Sequence, residues 1–105
     1  MKLNRKALEA VLFGGVWVYG PMDINEARWG KMVFLLNGRT FGYDHPNEYG
    51  WDFFKGAFRL LRKDGEPTSV FEEAVTENDR MLLKGRSVEA PSSLYCLQQA
   101  DSAED

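Results

Sequence analysis

Residues 31–44 read KMVFLLNGRTFGYD, two runs of alternating apolar residues around Asn37-Gly38. Both residues of that dipeptide tolerate positive φ, which a type I′ turn requires at its two central positions. The spacing predicts a β-hairpin with Leu36 opposite Arg39, Phe34 opposite Phe41 and Met32 opposite Tyr43. Side chains alternate along a strand, so Met32, Phe34, Leu36, Phe41 and Tyr43 share one face. Lys31, Val33, Leu35, Thr40, Gly42 and Asp44 share the other. The first is a core face. An isolated hairpin is marginal in water, so other elements must cover it.

Upstream, residues 4–13 predict a helix, with Asn4 as N-cap and Leu8, Val11 and Leu12 as its apolar stripe. Gly14 supplies the C′ position. VWVY at 16–19 predicts a short strand stopped by Gly20-Pro21. Asp23 and Glu26 have capping-box spacing, which predicts a helical turn or two closed by Gly30.

Downstream, 45–50 is loop. WDFFKGAFRLLRK at 51–63 admits two readings. As a helix it stacks Phe54, Phe58 and Leu61, with Asp52 near the start and Arg59, Arg62 and Lys63 near the end, an order that suits the helix dipole. As a strand it aligns Phe54, Phe58 and Leu60 around a bulge at Gly56. The charge order favours the helix. Ser69 and Glu72 form another capping box, opening a helix over 70–84 that buries Phe71, Ala74, Val75 and Leu82. Leu94, Tyr95 and Leu97 anchor the tail, as a helical turn begun by Ser92 or Ser93, before a disordered acidic end at 99–105. The expected fold is α+β: a single domain over 1–98, with a small antiparallel sheet that includes the 31–44 hairpin, covered on one face by two to three helices.

Composition narrows the function. A chain of 105 residues with net charge −3 and pI near 5.2 lacks the basic excess of a generic phosphate-backbone binder. One cysteine, Cys96, excludes an intramolecular disulfide and a cysteine zinc cage. No apolar run approaches the roughly 18 residues of a spanning helix, and the N-terminus has no signal-peptide h-region. These features predict a cytoplasmic protein with no membrane association.

Asp44, His45 and Glu48 could in principle ligate a metal, but they share one Pro-containing loop with no second histidine. No metal is expected there. No glycine pattern cradles a phosphate, no cofactor is implied, and no catalytic constellation is visible, so the expectation is a protein that is not an enzyme.

Two functional classes remain. The first is a small non-enzymatic protein-binding module, an inhibitor or occluding partner of another macromolecule, with the profile of small inhibitors that phages direct at nucleic-acid-handling enzymes. Its binding residues would be Glu72, Glu73, Glu77 and Asp79 on the acidic face of the 70–84 helix, docking on a basic nucleic-acid-binding surface. Tyr49 and Trp51 would act as aromatic anchors. The second class binds a nucleotide or single-stranded nucleic acid, with Tyr49 and Trp51 stacking on bases and Arg59 or Arg62 taking phosphate. Trp29 permits the same readings as Tyr49 and Trp51. An exposed sheet edge would also permit a homodimer.

Overall fold

The computed structural model describes residues 6, 12, 15–22, 29–43, 48–77 and 80–100. Within these, eight strands follow one another: β1 (Trp17–Pro21), β2 (Gly30–Phe34), β3 (Thr40–Phe41), β4 (Gly50–Phe54), β5 (Ala57–Leu61), β6 (Pro67–Glu77), β7 (Arg80–Ser87) and β8 (Leu94–Gln99). All pairings are antiparallel, in the order β3-β2-β1-β8-β7-β6-β5-β4. Neighbours in the sheet are thus neighbours in the chain, except where β8 returns to pair with β1.

The two outer strands of that order, β3 and β4, come together as well. Arg39 and Gly50 form an isolated antiparallel bridge. The Thr40 N–H donates to the Tyr49 carbonyl at 3.1 Å and the Trp51 N–H to the Gly38 carbonyl at 3.0 Å. The result is a nearly closed up-and-down barrel. Closure hides the unpaired edges that an open sheet would present.

Alternation decides what fills it. Trp17 and Tyr19 of β1, Met32 and Phe34 of β2, Trp51 of β4, Phe58 and Leu60 of β5, Phe71 of β6, Leu83 of β7 and Leu97 of β8 form one buried cluster. Phe58 lies at its centre, stacked on Trp51 at 5.7 Å between centroids and met edge-on by Phe34 at 5.1 Å and Phe53 at 5.4 Å. Such rings bury large areas and prefer these tilted contacts. Outward positions carry charge pairs instead, Asp52 with Arg59 and Glu72 with Arg86. An apolar interior with a charged exterior is the reverse of a lipid-facing barrel. No helix among the described residues is long and apolar enough to cross a membrane.

Among the described residues, the α+β expectation is therefore corrected to a nearly all-β barrel. Residues 51–63 form the β4–β5 hairpin rather than a helix. Its two-residue loop is Lys55-Gly56, with φ of 50° and 81°, and Phe54 pairs with Ala57. Both positive φ values are those of a primed hairpin turn. The inward residues are Trp51, Phe53, Phe58 and Leu60.

Residues 70–77 and 80–84 are not helical either; they belong to the paired strands β6 and β7, and 78–79 lie outside the described residues. A bulge between Phe71 and Glu73 shifts the alternation of β6, so Ser69, Phe71 and Ala74 all come to lie inside. That Phe71-to-Ala74 step of three is what imitates a helical stripe. Ser69, expected as a helix cap, is buried instead. Leu94, Tyr95 and Leu97 belong to β8, not to a helical turn, and β8 continues to Gln99, past the expected boundary at 98.

The 31–44 segment does form a hairpin, but slipped by one residue. Val33 pairs with Phe41 and Phe34 with Thr40. The loop is Leu36-Asn37-Gly38, closed by the Leu35 N–H on the Arg39 carbonyl at 2.9 Å. Only Gly38 takes positive φ, 86°, while the Asn37 side chain accepts the Arg39 N–H at 3.1 Å. This is the three-residue bulged loop, not the type I′ turn. A slip of one residue exchanges faces, so Phe34 is buried whereas Phe41 is 69% exposed.

The helix expected at 4–13 lies outside the described residues except for Lys6 and Leu12, both in helical backbone. The turn expected at 23–30 is likewise outside them as far as residue 28, and Gly30 opens β2. The acidic end at 101–105 also lies outside them.

Two substitutions test the turn and the seam. Lys55→Asn should raise stability by up to about 1 kcal/mol, because asparagine accepts the left-handed region more readily. A Cβ on Gly50 would lie 2.6 Å from the Gly38 carbonyl oxygen, so Gly50→Ala should cost about 1–3 kcal/mol. Denaturant melts read both.

Candidate ligand-binding mouth

Polar side chains enter the barrel at one end, and Tyr19 organises them. It points inward from β1 opposite Gly30, whose missing side chain leaves room for the Tyr43 ring, 2.7 Å from where a Cβ would sit. Tyr43 meets Tyr19 edge-on at 5.6 Å, Tyr95 does so at 6.0 Å, and Trp29 packs on Tyr19 at 5.1 Å and on Tyr95 at 5.0 Å.

The Tyr19 hydroxyl is buried. It donates to Glu48 Oε1 at 3.2 Å and meets Ser69 Oγ at 3.0 Å. With the Tyr19 proton directed at the carboxylate, Ser69 donates to Tyr19. Glu48 is held by the barrel seam: its carbonyl accepts from the Thr40 hydroxyl, and the next residue, Tyr49, donates its N–H to the Leu61 carbonyl at 2.8 Å. Burial is the main cause that pushes the Tyr19 phenol far above its usual range; the Ser69 hydrogen bond opposes this and the Glu48 charge adds to it. Tyr43 is raised for the same two main reasons, burial and then the Glu48 charge.

Two hollows adjoin this cluster. A polar cavity of ≈ 110 Å³ is bounded by Glu48, Thr68, Ser69, Ser87, Glu89 and Tyr95. A shallower groove of ≈ 540 Å³ runs over Pro21, Met22, Trp29, Ser92, Ser93, Leu94 and Tyr95. Tyr95 is common to both. Trp29 and Leu94 are large apolar side chains on the groove, 47% and 55% exposed.

The residues singled out from sequence fall elsewhere. Glu72 pairs with Arg86 at 2.6 Å, Glu73 stands opposite Lys84, and Glu77 opposite Arg80. A basic residue therefore accompanies the Glu72 and Glu73 carboxylates on the sheet, and the expected helix that would have gathered them on one face is replaced by a strand. Asp79 lies outside the described residues. Trp51 is a core residue whose indole N–H donates to the Leu35 carbonyl at 2.9 Å. Tyr49 is half-buried, with the Arg39 guanidinium 3.9 Å over its ring.

Arg59 is gripped by both oxygens of Asp52, at 2.8 and 2.7 Å, and Arg62 pairs with Asp64 at 3.2 Å. Each of these two arginines is thus paired with a carboxylate, while Trp51 lies in the core and Tyr49 beside Arg39. Of the three loop residues weighed for a metal, Asp44 and His45 lie outside the described residues, while Glu48 faces Tyr19. Among the described residues, no group of three or more His, Cys, Asp or Glu is placed to hold a metal ion.

Sequence reasoning named Trp29 and Glu48 but missed Tyr19, Ser69, Glu89 and Tyr95 as parts of one site. They come from three separated stretches, around residues 19, 69 and 89–95, and no local spacing connects these.

No family model matches this chain, and neither a curated protein nor a solved structure matches it.

Tyr19 ionisation is coupled to folding. As pH rises past about 10, the unfolded chain gives up this proton while the folded one keeps it. The folded state then binds more protons, so stability falls with rising pH, by about 1.4 kcal/mol per pH unit for one such group. Tyr19→Phe should flatten that alkaline slope by about this amount in denaturant melts. At neutral pH it should cost about 1–3 kcal/mol, through the partners it leaves behind.

Proposed function

We propose that this barrel is a non-enzymatic protein-binding module and that its mouth, where Trp29, Leu94 and Tyr95 border a groove, is the surface that meets the partner. The observation that carries this reading is the contrast between interior and rim. The middle of the barrel is filled with apolar side chains from every strand but β3, so a ligand must be met at the end or on the outer face. At the mouth, half-exposed aromatic and aliphatic side chains surround a concavity with a few polar groups beside it, the composition of a recognition site. Trp and Tyr are also the side chains that most often dominate binding energy.

The outer sheet gives less support for docking, because its charges are matched across strands. Tyr19, Ser69 and Glu48 engage one another in a buried network, which suits a positioning role for these groups rather than turnover. Binding that occludes a surface of the partner is the mode of action this supports.

Affinity capture with the intact chain, followed by reconstitution with the purified partner, tests the reading. Trp29→Ala and Leu94→Asp should each weaken the reconstituted complex at least about tenfold, as truncation of a central anchor does. The double reversal Glu72→Lys/Glu73→Lys should leave it within about twofold. The opposite ranking would place the interface on the β6–β7 face and overturn the assignment.

A further inference from the structure

The cavity beside the groove is lined by polar side chains and one aromatic residue, Tyr95. Glu48 and Glu89 bring carboxylates, and Thr68, Ser69 and Ser87 bring hydroxyls. The Thr68 hydroxyl donates its proton to the Leu60 carbonyl at 3.2 Å, and that of Ser69 goes to Tyr19. Ser87 Oγ already accepts the Ala90 N–H at 3.2 Å. The Thr68 and Ser69 protons are thus directed into the protein, and the two carboxylates set a negative potential over the space. An anion is repelled there. A neutral apolar group would leave those carboxylates without water, at a cost.

Among cations, the choice follows from donor count and shape. A guanidinium has five N–H donors in a plane, accepts nothing, and stacks on aromatic faces. A lysine ammonium is compact, more strongly hydrated and has three donors; a quaternary ammonium has none to offer the hydroxyls and carboxylates. Tyr95 lines both cavity and groove, so the stem of a long side chain can pass along it from the rim inward.

We propose that the Glu48–Glu89 cavity is an arginine pocket, which receives the guanidinium of one arginine in a segment of the partner protein while a neighbouring apolar residue of that segment lies on Trp29 and Leu94. This rests on the mouth being the binding surface, and it names the side chain that enters. It also assigns Glu48 a second role. Besides accepting from Tyr19, its carboxylate supplies charge at the inner end of the pocket, where screening by salt is weak.

A displayed library of short random peptides, selected on the intact immobilised protein, tests it. The recovered peptides should share one arginine next to an apolar residue. In the tightest synthetic peptide, replacing that arginine by alanine should weaken binding at least about thirtyfold, as for a buried charge pair, and lysine should not restore it. Glu89 is exposed, so E89Q should leave the melting temperature unchanged and weaken binding about fivefold. E48Q, isosteric and deeper, should weaken it by about thirtyfold.

Recovered peptides that require Trp29 but share no arginine would overturn the pocket and leave the mouth standing. So would an arginine peptide that binds E89Q and E48Q like the parent. Peptides indifferent to Trp29→Ala would overturn both readings, and an empty selection would overturn the arginine assignment.

Discussion

The constraint on which this fold depends is closure of the sheet. Seven of the eight neighbour relations around the barrel come from antiparallel ladders, the β2–β3 ladder being two pairs long. The eighth, between β3 and β4, rests on one bridge and a few hydrogen bonds to the backbone around Gly38, Gly50 and Thr40. That narrow seam works because β3 is only two residues long and Gly50 lets two backbones touch. The β8 strand, last in the chain, completes the circle by pairing with β1, the first. Until it does so, β1 and β7 each keep an open edge. Such a non-local pairing bears its loop-closure entropy before its contacts form, which favours cooperative assembly.

Closure also sorts the interior along the barrel. Around Phe58 the cross-section is filled by large apolar side chains, with the Trp51 indole N–H satisfied by the Leu35 carbonyl. Toward the mouth the inward side chains become Tyr19, Ser69 and Glu48, each with hydrogen-bonding capacity that burial requires to be met. The seam joins the two regions. The same Thr40 that pairs opposite Phe34 in the β2–β3 ladder donates its hydroxyl to the Glu48 carbonyl. The carboxylate at the mouth is therefore positioned by the contact that closes the barrel, and its place is a property of the whole fold.

The net charge of −3 is spread accordingly. Along β6, β7 and the β4–β5 hairpin, carboxylates alternate with arginines and lysines, and cross-strand pairs of this kind contribute little energy while keeping the outer face well solvated. Negative charge with aromatic surface beside it is found at the mouth, where Glu48 and Glu89 adjoin Tyr95. A partner meeting the barrel there encounters concavity, exposed indole and electronegative oxygen together.

Much of the local structure was legible in the chain. VWVY lies largely within β1, the Asn37-Gly38 reversal does join two strands, and Met32 and Phe34 do face the core. The reading went astray where one residue changed the phase. The bulge at Glu72 turned an alternating strand into an apparent helical repeat, although Thr68, Val70, Val75 and Thr76 are β-branched and favour a strand. Lys55 took a left-handed conformation seldom expected of lysine, so the Lys55-Gly56 turn went unseen. The hairpin slipped because a three-residue loop serves Asn37-Gly38 as well as a two-residue one, and the face of Phe41 changed with it.

By itself, then, the sequence determined where apolar rings concentrate, where the chain can reverse, and that no strongly basic surface dominates. Only the tertiary structure decided that 50–54, 57–61, 67–77 and 80–87 are strands, that β8 closes on β1, and that Tyr19, Glu48, Ser69, Glu89 and Tyr95 share one mouth. The reason is physical: a strand's hydrogen bonds are made to another segment, so its identity depends on a partner that local spacing does not contain.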